Sequence, residues 1–408
     1  MQIMNSYVSD VLIIGAGLVG AAQALALAHY GVRSVVVDKT PLDAVRAQGH
    51  DGRVSAISHA SVQVLEHIDL WHKVEQEAGA IGSILVTEGG DFSDIHFDAA
   101  HVSDDPFGYM VANRSLRIAL LEAVEEHPLI TFIAEQTVAD MVRDGGKVRA
   151  TLTQGAIIEA NLLIVADGRY SQVRDSLGIK ARKFDYDQHA MVCTIAHNVH
   201  HQERAIEWFL PAGPLALLPM HGGHHSCIVW TERSRFAQHM IALDDATFTY
   251  ELSRKLCGML GTIEMVGGKY AYPLNLFQAE RYTSERAVLI GDAAHAIHPI
   301  AGQGVNLGYR DVAVLTELLV DAMRLGQDIG NASIMQHYQQ WRHFDATSMI
   351  AMTDGLNRIF SSDSKLVRPV RRLGMGLLNR IEPVKMFFME SAMGMTGDLP
   401  HMLRGERI

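Results

Sequence analysis

The apolar residues near the start of the chain fall into two short continuous runs separated by a longer alanine-rich stretch. Residues 8–14 (VSDVLII) and 34–37 (SVVV) have the length and composition of strands that are buried on both faces. Residues 21–31 (AAQALALAHYG) favour a helix, and the glycine that ends this stretch is typical of a helix C-cap. The pattern therefore predicts a strand–helix–strand unit of an α/β fold.

Two later apolar runs repeat the strand signal far along the chain. Residues 161–166 (NLLIVA) and 287–290 (AVLI) each read as a buried strand. After the second of these, a helix is predicted to begin at residues 302–306 and to end near Leu325, because apolar residues recur there at helical spacing. These apolar positions are Val312, Leu315, Leu318, Leu319 and Ala322.

The composition is that of a large globular protein with an acidic charge balance. The chain has 408 residues, 48% of them apolar, and a formal net charge of −11. This balance disfavours nucleic acid as a partner, because phosphate binding needs a basic surface. The cysteines Cys193, Cys227 and Cys257 form no C-x-x-C pair, so neither a disulfide framework nor a cysteine zinc site is expected. The first apolar run resembles neither a signal peptide nor a membrane span, and a cytoplasmic protein is expected.

A glycine motif of the form G-x-G-x-x-G follows the first predicted strand. The motif spans residues 15–20 (GAGLVG), and its candidate site residues are Gly15, Gly17, Leu18, Val19 and Gly20. Gly15 permits a tight turn, Gly17 lets the backbone approach a pyrophosphate, and Gly20 lets the helix pack close to the strand. The helix N-terminus offers free N–H groups, and Asp38 after the second strand can accept hydrogen bonds from a ribose. The motif predicts a dinucleotide site without separating NAD from FAD.

Acidic residues also follow the two later strands. Asp167 begins the pattern D-G-x-x-S-x-x-R, and Asp292 is the second residue of the sequence GDAAHAIHPIAGQGVNLG. The residues of interest in the glycine-rich turn of that second sequence are Gly302, Gly304, Val305 and Asn306, preceded by His298 and Pro299. A glycine-rich turn that leads into a helix predicts a site for a ligand with negative charge.

The three motifs, in this order and with these gaps, resemble those of the flavoprotein aromatic hydroxylases of the p-hydroxybenzoate hydroxylase type. The resemblance covers nearly the whole chain and implies that the cofactor is FAD, with the AMP half held by the first motif. It also implies that Asp167 lies near the pyrophosphate and that Asp292 bonds the ribityl chain. The helix that follows is then expected to direct N–H groups at the flavin N1–O2 edge, with His298 and Pro299 lining the loop beside it. The family usually has Glu where this chain has Asp38, so a single hydrogen bond to the ribose is expected.

Further stretches look like the branch of this family that hydroxylates polyprenylated phenols in ubiquinone biosynthesis. They are DGRVSAIS, PLALLP, HPIAGQGVNLGYRD and MGMTGDLPHMLRG. By position, Arg53 matches a family arginine near the flavin pyrophosphate. Asn113 and Arg117 match helix residues that contact the FAD phosphates and ribityl chain. An arginine or amide that faces a pyrophosphate gains charge-assisted hydrogen bonds, although each of these side chains could instead be an ordinary surface residue.

The resemblance implies a Rossmann-like FAD-binding domain with an inserted β-sheet substrate domain and a C-terminal helical segment. The FAD-binding domain is expected to be discontinuous and to comprise residues 1–80, 105–180 and 275–350. Residues 181–274 alternate between strands with one helix near 245–258, and with residues 81–104 they are expected to form the substrate domain. Residues 351–408 make up the helical segment.

The C-terminal segment differs in character from the rest of the chain. Residues 356–390 are rich in Leu, Met and Phe, and their basic residues outnumber the acidic ones, with Arg368, Arg371 and Arg372 close together. Such a segment can lie on an anionic membrane, or it can be a cap packed on the flavin domain or a surface for a quinone-synthesis complex. Membrane contact would fit a substrate that resides in the bilayer.

The chemistry expected from the resemblance is aromatic hydroxylation by FAD, with NAD(P)H and O2 as co-substrates and a C4a-hydroperoxyflavin as the oxygen donor. The substrate expected is a lipid-soluble phenol. The alternatives are a hydroxylase of a soluble aromatic or secondary metabolite, and a flavin-binding subunit with little turnover. No metal is expected, because the histidines are scattered and no H-E-x-x-H occurs. Ring position, tail length, the choice between NADH and NADPH, and oligomeric state are left open.

Overall fold

The structure is a computed structural model that describes residues 5–49, 52–88, 94–296, 302–360 and 381–408. Its strands, in chain order, are β1 (Ser6–Val8), β2 (Val11–Ile14), β3 (Ser34–Val37), β4 (Val54–Ser58), β5 (Gly79–Ala80), β6 (Ser83–Thr87), β7 (Ile95–Asp98), β8 (Gly108–Ala112), β9 (Ile130–Ile133), β10 (Val138–Asp144), β11 (Lys147–Leu152), β12 (Ile157–Ala160), β13 (Leu162–Val165), β14 (Ala181–His197), β15 (Arg204–Leu210), β16 (Gly213–Pro219), β17 (His225–Arg233), β18 (Ile263–Ala279), β19 (Thr283–Ser284), β20 (Ala287–Leu289) and β21 (His295–Ala296).

The α-helices that can be described are α1 (Leu18–His29), α2 (Leu42–Ala47), α3 (His59–His67), α4 (Asn113–Glu126), α5 (Gln172–Ser176), α6 (Ser234–Ile241), α7 (Asp245–Leu256), α8 (Gly304–Arg324), α9 (Ala332–Phe360) and α10 (Glu382–Met393). None of them, within the described ranges, has both the length and the apolar character that crossing a bilayer requires.

A six-stranded sheet forms the centre of the molecule. Its strand order is β19-β20-β13-β2-β3-β9, and every neighbouring pair except β19 with β20 is parallel. The strands predicted from the continuous apolar runs are β2, β3, β13 and β20, and their residues are almost fully buried, as expected for a sheet covered on both faces. Because these four strands are parallel, their carboxyl ends lie along one edge of the sheet.

Helices α1 and α8 pack closely together beside that edge. A Cβ atom on Gly308 of α8 would overlap the side chain of Val19 in α1, so the glycine permits the close approach. Gln23 of α1 also donates a buried hydrogen bond from Nε2 to Thr316 Oγ1 of α8 at 2.9 Å. The first and third sequence motifs, nearly 300 residues apart, are therefore fixed against each other.

A long antiparallel sheet stands beside the central unit. Its strand order is β21-β18-β14-β17-β16-β15-β6-β7, with a parallel pairing only between β15 and β6. Helices α6 and α7 cover one face, where Trp230 and Phe248 belong to the same buried cluster. The other face packs toward β4, β8 and α10 through residues that include Met110, Met220 and Met389.

The α/β fold class predicted from the sequence is confirmed. Strands β6 and β7, within residues 81–104, join the same sheet as the strands between residues 181 and 279. Helix α10 begins at Glu382 and packs on that sheet. Arg368, Arg371 and Arg372 lie outside the described residues. The exact domain boundaries stay a prediction.

Candidate FAD and substrate site

The acidic and glycine motifs converge on one edge of the central sheet. Gly15 follows β2, Asp38 follows β3, Asp167 follows β13, and Asp292 follows β20. In open α/β sheets, ligands bind in the crevice outside the carboxyl ends of the strands. The fold therefore brings the predicted cofactor-binding residues to the place where such a sheet offers a site.

The first glycine motif forms a tight turn that exposes the start of α1. Gly15 has a φ of +103°, and a Cβ atom there would overlap the carbonyl of Ala166 at the end of β13. A Cβ atom on Gly20 would overlap the carbonyl of Gly15. Gly17 differs, because a Cβ atom there would have no described atom within 4 Å. Gly17 is the N-cap of α1 and no side chain caps that end, so its free N–H groups suit a phosphate.

Asp38 ties the glycine turn to the end of β3. Its Oδ2 accepts a hydrogen bond from the Ala16 amide at 2.6 Å, and its Oδ1 accepts one from the Thr40 amide at 2.7 Å. Each carboxylate oxygen keeps a further lone pair, so a ribose hydroxyl can still be bound. Arg117 Nη2 lies 3.9 Å from Asp38 Oδ1, and Arg117 Nε is buried without a hydrogen-bond partner in the described part of the chain. A buried donor of this kind calls for an acceptor such as a phosphate.

Arg53 and Asn113 occupy the flank formed by β4 and α4. Asn113 is the first residue of α4. Its backbone N–H donates to the Arg53 carbonyl at 3.0 Å, and its side-chain Oδ1 accepts from Ser55 Oγ at 2.6 Å. The guanidinium of Arg53 is exposed and lies 5.6 Å from the centre of the Tyr272 ring. Its charge also acts on Asp292, which places Arg53 near the third motif.

The D-G-x-x-S-x-x-R motif links two of the strand ends. Ser171 caps α5 by accepting from the Arg174 amide at 2.9 Å. The buried Arg174 guanidinium donates to the Arg169 carbonyl at 3.0 Å and to the Ala293 carbonyl at 3.3 Å, so it holds the second motif against the third. Burial raises the pKa of Asp167, and contacts with Ser171 and the Val173 amide partly oppose this shift.

Asp292 lies just beyond the end of β20, and its side chain is exposed. Desolvation by the neighbouring protein raises the pKa of its carboxyl group, and the positive charges of Arg169, His295 and Arg53 oppose the shift. An exposed carboxylate at this edge can accept hydrogen bonds from a ligand hydroxyl.

Helix α8 presents a second helix N-terminus at the site. Gly304 is its first residue, no side chain among the described residues caps it, and a Cβ atom on Gly304 would have no described atom within 4 Å. Gly302 has a φ of +65°, and a Cβ atom there would come within 2.9 Å of Ala56 Cβ. Val305 and Asn306 lie in the first turn. The arrangement suits a ligand with negative charge close to the backbone.

The side chain of Asn306 has a structural role. Its Oδ1 accepts from the Ser58 amide at 3.0 Å, and its Nδ2 donates to the Ala56 carbonyl at 2.9 Å. Asn306 therefore clamps the start of α8 to β4. Only its backbone N–H, in the first helical turn, is available to a cofactor.

Sequence reasoning missed a buried ion-pair network that anchors the Asp292 loop. Asp311 of α8 accepts from the Gly291 amide at 2.8 Å, from His295 Nε2 at 2.8 Å and from Arg342 Nε at 2.6 Å. Burial opposes ionisation of Asp311, but the charges of His295 and Arg342 outweigh it and lower its pKa. Arg342 also pairs with Asp345. The signal in the sequence was Asp311 itself, a charged residue beside the apolar positions of the helix that is predicted to end near Leu325.

His298 and Pro299, which are also predicted to lie at the site, are outside the described residues. Among the residues the structure describes, no group of three or more His, Cys, Asp or Glu side chains is placed to hold a metal ion. The site residues fit FAD, because they combine two uncapped helix N-termini, an unpaired buried Arg117 Nε and open space beside Gly17, Gly168 and Gly304.

Comparisons with known proteins agree with this geometry. Residues 8–353 match the family model described as FAD binding domain. The chain is 44% identical to ubiquinone hydroxylase UbiL of Rhodospirillum rubrum over 401 residues, which cover 98% of this chain and 93% of that protein. It is 32% identical to 3-demethoxyubiquinol 3-hydroxylase of Escherichia coli, covering 96% of this chain and 100% of that protein.

The fold also matches a solved structure along its whole length. The crystal structure of p-nitrophenol 4-monooxygenase PnpA from Pseudomonas putida aligns with a TM-score of 0.78 at 18% identity, covering 99% of this chain and 100% of that one. At this identity the match concerns the fold alone. With the family model and the two relatives, it shows that the chain belongs to the FAD-dependent aromatic hydroxylases and, within them, to the ubiquinone hydroxylase group.

Proposed function

We propose that this protein hydroxylates the aromatic ring of a polyprenylated phenol in ubiquinone biosynthesis, with FAD as cofactor and NAD(P)H and O2 as co-substrates. The observation that carries the proposal is the convergence of the three sequence motifs, at four strand ends, and of two helix N-termini on one edge of the sheet. The names of the two relatives, a ubiquinone hydroxylase and a demethoxyubiquinol hydroxylase, indicate the class of substrate.

In this proposal, different residues at this edge bind different parts of FAD. The start of α1, at Gly17, Leu18 and Val19, is placed to hold the pyrophosphate, with Arg117 and Arg53 adding positive charge. Asp38 is placed to accept a hydrogen bond from the ribose. Asn113 and Asp167 lie on either side of the pyrophosphate, and the carboxylate of Asp292 accepts a hydrogen bond from a hydroxyl of the ribityl chain. These assignments extend the sequence predictions and remain part of the proposal.

The start of α8 serves the reactive part of the cofactor. When bound, FAD reduced by NAD(P)H reacts with O2 and supplies the oxygen for hydroxylation. The uncapped N–H groups of Gly304, Val305 and Asn306 stabilise negative charge that develops beside them. Asn306 holds this helix start against β4, and Gly302 makes the turn before it. These residues thereby fix the position of the N–H groups before any ligand arrives.

An apolar, methionine-rich cluster lies next to the turn before α8. It joins β4, the antiparallel sheet and α10, and it includes Met110, Met220, Met386, Met389 and Met393. Unbranched methionine side chains adapt to irregular apolar ligands. Of these residues, Met220 and Met386 are half-buried and so can contact the prenyl tail of the proposed substrate.

We further propose that the C-terminal segment brings the enzyme to the membrane that holds its substrate. On α10 and just before it, the apolar side chains of Ile381, Val384 and Phe387 are exposed, while Met389 and Met393 of the same helix are buried. Apolar side chains on the outer surface of a helix that also packs in the methionine-rich cluster support shallow contact with a bilayer.

Changing both Val384 and Phe387 to Ser is therefore expected to reduce co-sedimentation with anionic liposomes and to leave FAD content unchanged. Changing Phe344, an exposed aromatic residue of α9, to Ser is the matched control. If wild-type protein stays in the supernatant at low salt, the membrane contact is refuted, and the segment is then a packed cap or a surface for a protein partner.

The function itself is tested by substrate-stimulated oxidation of NAD(P)H. Purified holoenzyme is mixed with NAD(P)H and a phenol carrying a two-isoprene tail, and absorbance at the nicotinamide band is followed. A hydroxylase accelerates NAD(P)H oxidation when the phenol is added. If oxidation is equally slow with and without the phenol, the protein is a flavin-binding subunit and not the hydroxylase.

A further inference from the structure

Glu207 lies on the face of the antiparallel sheet that packs toward β4 and α10. Successive side chains of a strand point to opposite faces. Along β15, Ile206 and Leu210 pack with the cluster under α6 and α7, whereas Ala205 belongs to the methionine-rich cluster. Glu207 follows Ala205 by two residues and therefore shares its face.

The carboxyl group of Glu207 stands in an apolar setting without a partner. Its direct neighbours across the sheet are Val86 of β6 and Ala216 of β16. No hydrogen bond or ion pair joins this carboxyl group to any residue that the structure describes, and burial raises its pKa to about 7. The residue is nevertheless partly exposed, so it is not sealed within the packed core. Buried polar groups are almost always hydrogen-bonded, and this one lacks its partner within the described chain.

The wall that carries Glu207 is continuous with the cofactor side of the molecule. The methionine-rich cluster extends from Ala205 and Ile84, beside Glu207, to Val54 and Ala56 of β4. Ala56 in turn touches the turn before α8, where a Cβ atom on Gly302 would lie 2.9 Å from Ala56 Cβ. One apolar surface therefore connects the start of α8 with the carboxyl group of Glu207.

We propose that Glu207 binds the substrate through a hydrogen bond between its carboxyl group and a ring hydroxyl of the phenol. The inference rests on the proposed function and adds to it the residue that recognises the polar end of the substrate. A polyprenylated phenol is apolar except for the oxygen substituents of its ring, and a largely apolar surface that carries a carboxyl group matches that chemistry. The carboxylate accepts the phenolic O–H, and the protonated carboxyl can donate to a ring oxygen.

The test compares a phenol with its own methyl ether, because the ether keeps the shape and loses the donated proton. Both compounds carry a two-isoprene tail, and their dissociation constants are measured on the FAD-loaded enzyme by the change in flavin fluorescence. We expect wild-type protein to bind the phenol roughly tenfold or more tightly than the ether. Glu207→Leu should lower phenol affinity to the level of the ether, whereas Glu207→Gln, which can still accept a hydrogen bond, should keep most of the preference.

The control is Glu264→Leu, which removes an exposed carboxylate from β18 of the same sheet and should behave like wild type. Replacing a carboxyl group in an apolar wall with an aliphatic side chain removes a desolvation cost, so the Leu variant is expected to fold and retain FAD. Glu207→Met is a second apolar variant with the same expected loss of preference. Unchanged preference in both variants overturns the role of Glu207 while the proposed function stands. If wild-type protein neither binds the phenol nor oxidises NAD(P)H in response to it, the proposed function fails and this inference fails with it.

Discussion

The change Asp311→Asn should both destabilise the protein and weaken FAD binding. Asp311 is fully buried, and the Gly291 amide, His295 and Arg342 all donate hydrogen bonds to its oxygens. An amide at this position keeps one acceptor and turns an NH2 group toward donors. It also removes one of the two carboxylates that pair with the buried Arg342 guanidinium, the other being Asp345.

The size of the loss follows from this geometry. Removing one partner of a buried ion pair costs about 3–5 kcal/mol when the other charge is left uncompensated. Because Arg342 keeps its ion pair with Asp345, we expect the lower end of that range, about 3 kcal/mol. At roughly 2 °C per kcal/mol for a large domain, the midpoint of thermal unfolding should fall by about 6 °C. Asp311 also holds Gly291, the residue before Asp292, so we expect FAD affinity to fall by roughly 1–3 kcal/mol when that loop shifts.

The assay is thermal unfolding of FAD-free and FAD-saturated protein at one fixed scan rate, together with titration of FAD into the stripped protein. The matched control is Asp321→Asn, which removes an exposed carboxylate from the same helix and should change the midpoint by about 1 °C or less. If Asp311→Asn unfolds at the control's temperature and binds FAD equally well, the network does not anchor the cofactor loop.

Three further predictions concern individual side chains. Gly17→Ala should weaken FAD binding with little effect on the FAD-free protein, since the new Cβ meets no described atom; FAD titration and unfolding of the stripped protein check this, and equal FAD affinity would refute it. Asp292→Ala should lower FAD affinity by about 1–3 kcal/mol, because it leaves a ligand hydroxyl unpaired, and wild-type affinity by titration would contradict the placement of this loop. Glu207→Gln should stabilise the protein increasingly as pH rises from about 4.5 to about 7 and by a constant amount above that, because over this range the carboxyl ionises in the unfolded chain while the native group, with its pKa raised to about 7, stays protonated. The gain has an upper limit of about 3 kcal/mol, and unfolding midpoints that differ by a constant amount at every pH would oppose it.

The sequence predicts well those features that depend on local patterns. Continuous apolar runs identified the parallel strands, since strands buried on both faces admit few polar residues. Gly15 is predicted to permit a tight turn and Gly20 to let the helix pack close to the strand, and the structure shows the overlaps that a Cβ atom would create at each. Because parallel strands end at a shared edge, strand assignment alone was enough to bring Asp38, Asp167 and Asp292 together.

Features that depend on long-range register could not be predicted in the same way. The side chain of Asn306 clamps a strand about 250 residues away, a pairing that no local pattern encodes. The Asp311–Arg342 pair joins two helices whose facing sides are fixed only by packing. The orientation of Glu207 depends on the parallel pairing of β15 with β6, which come from distant parts of the chain. Each role becomes visible only once the tertiary contacts are known.

The most direct test of the whole account is the product formed under isotopically labelled oxygen. FAD-loaded protein, NAD(P)H and a phenol with a two-isoprene tail are incubated under 18O2, and the extracted product is analysed by mass spectrometry. The account predicts a ring-hydroxylated phenol that carries one 18O atom and forms in proportion to the NAD(P)H consumed. An unmodified phenol recovered while NAD(P)H is oxidised, or a product oxygen that comes from water, would contradict it.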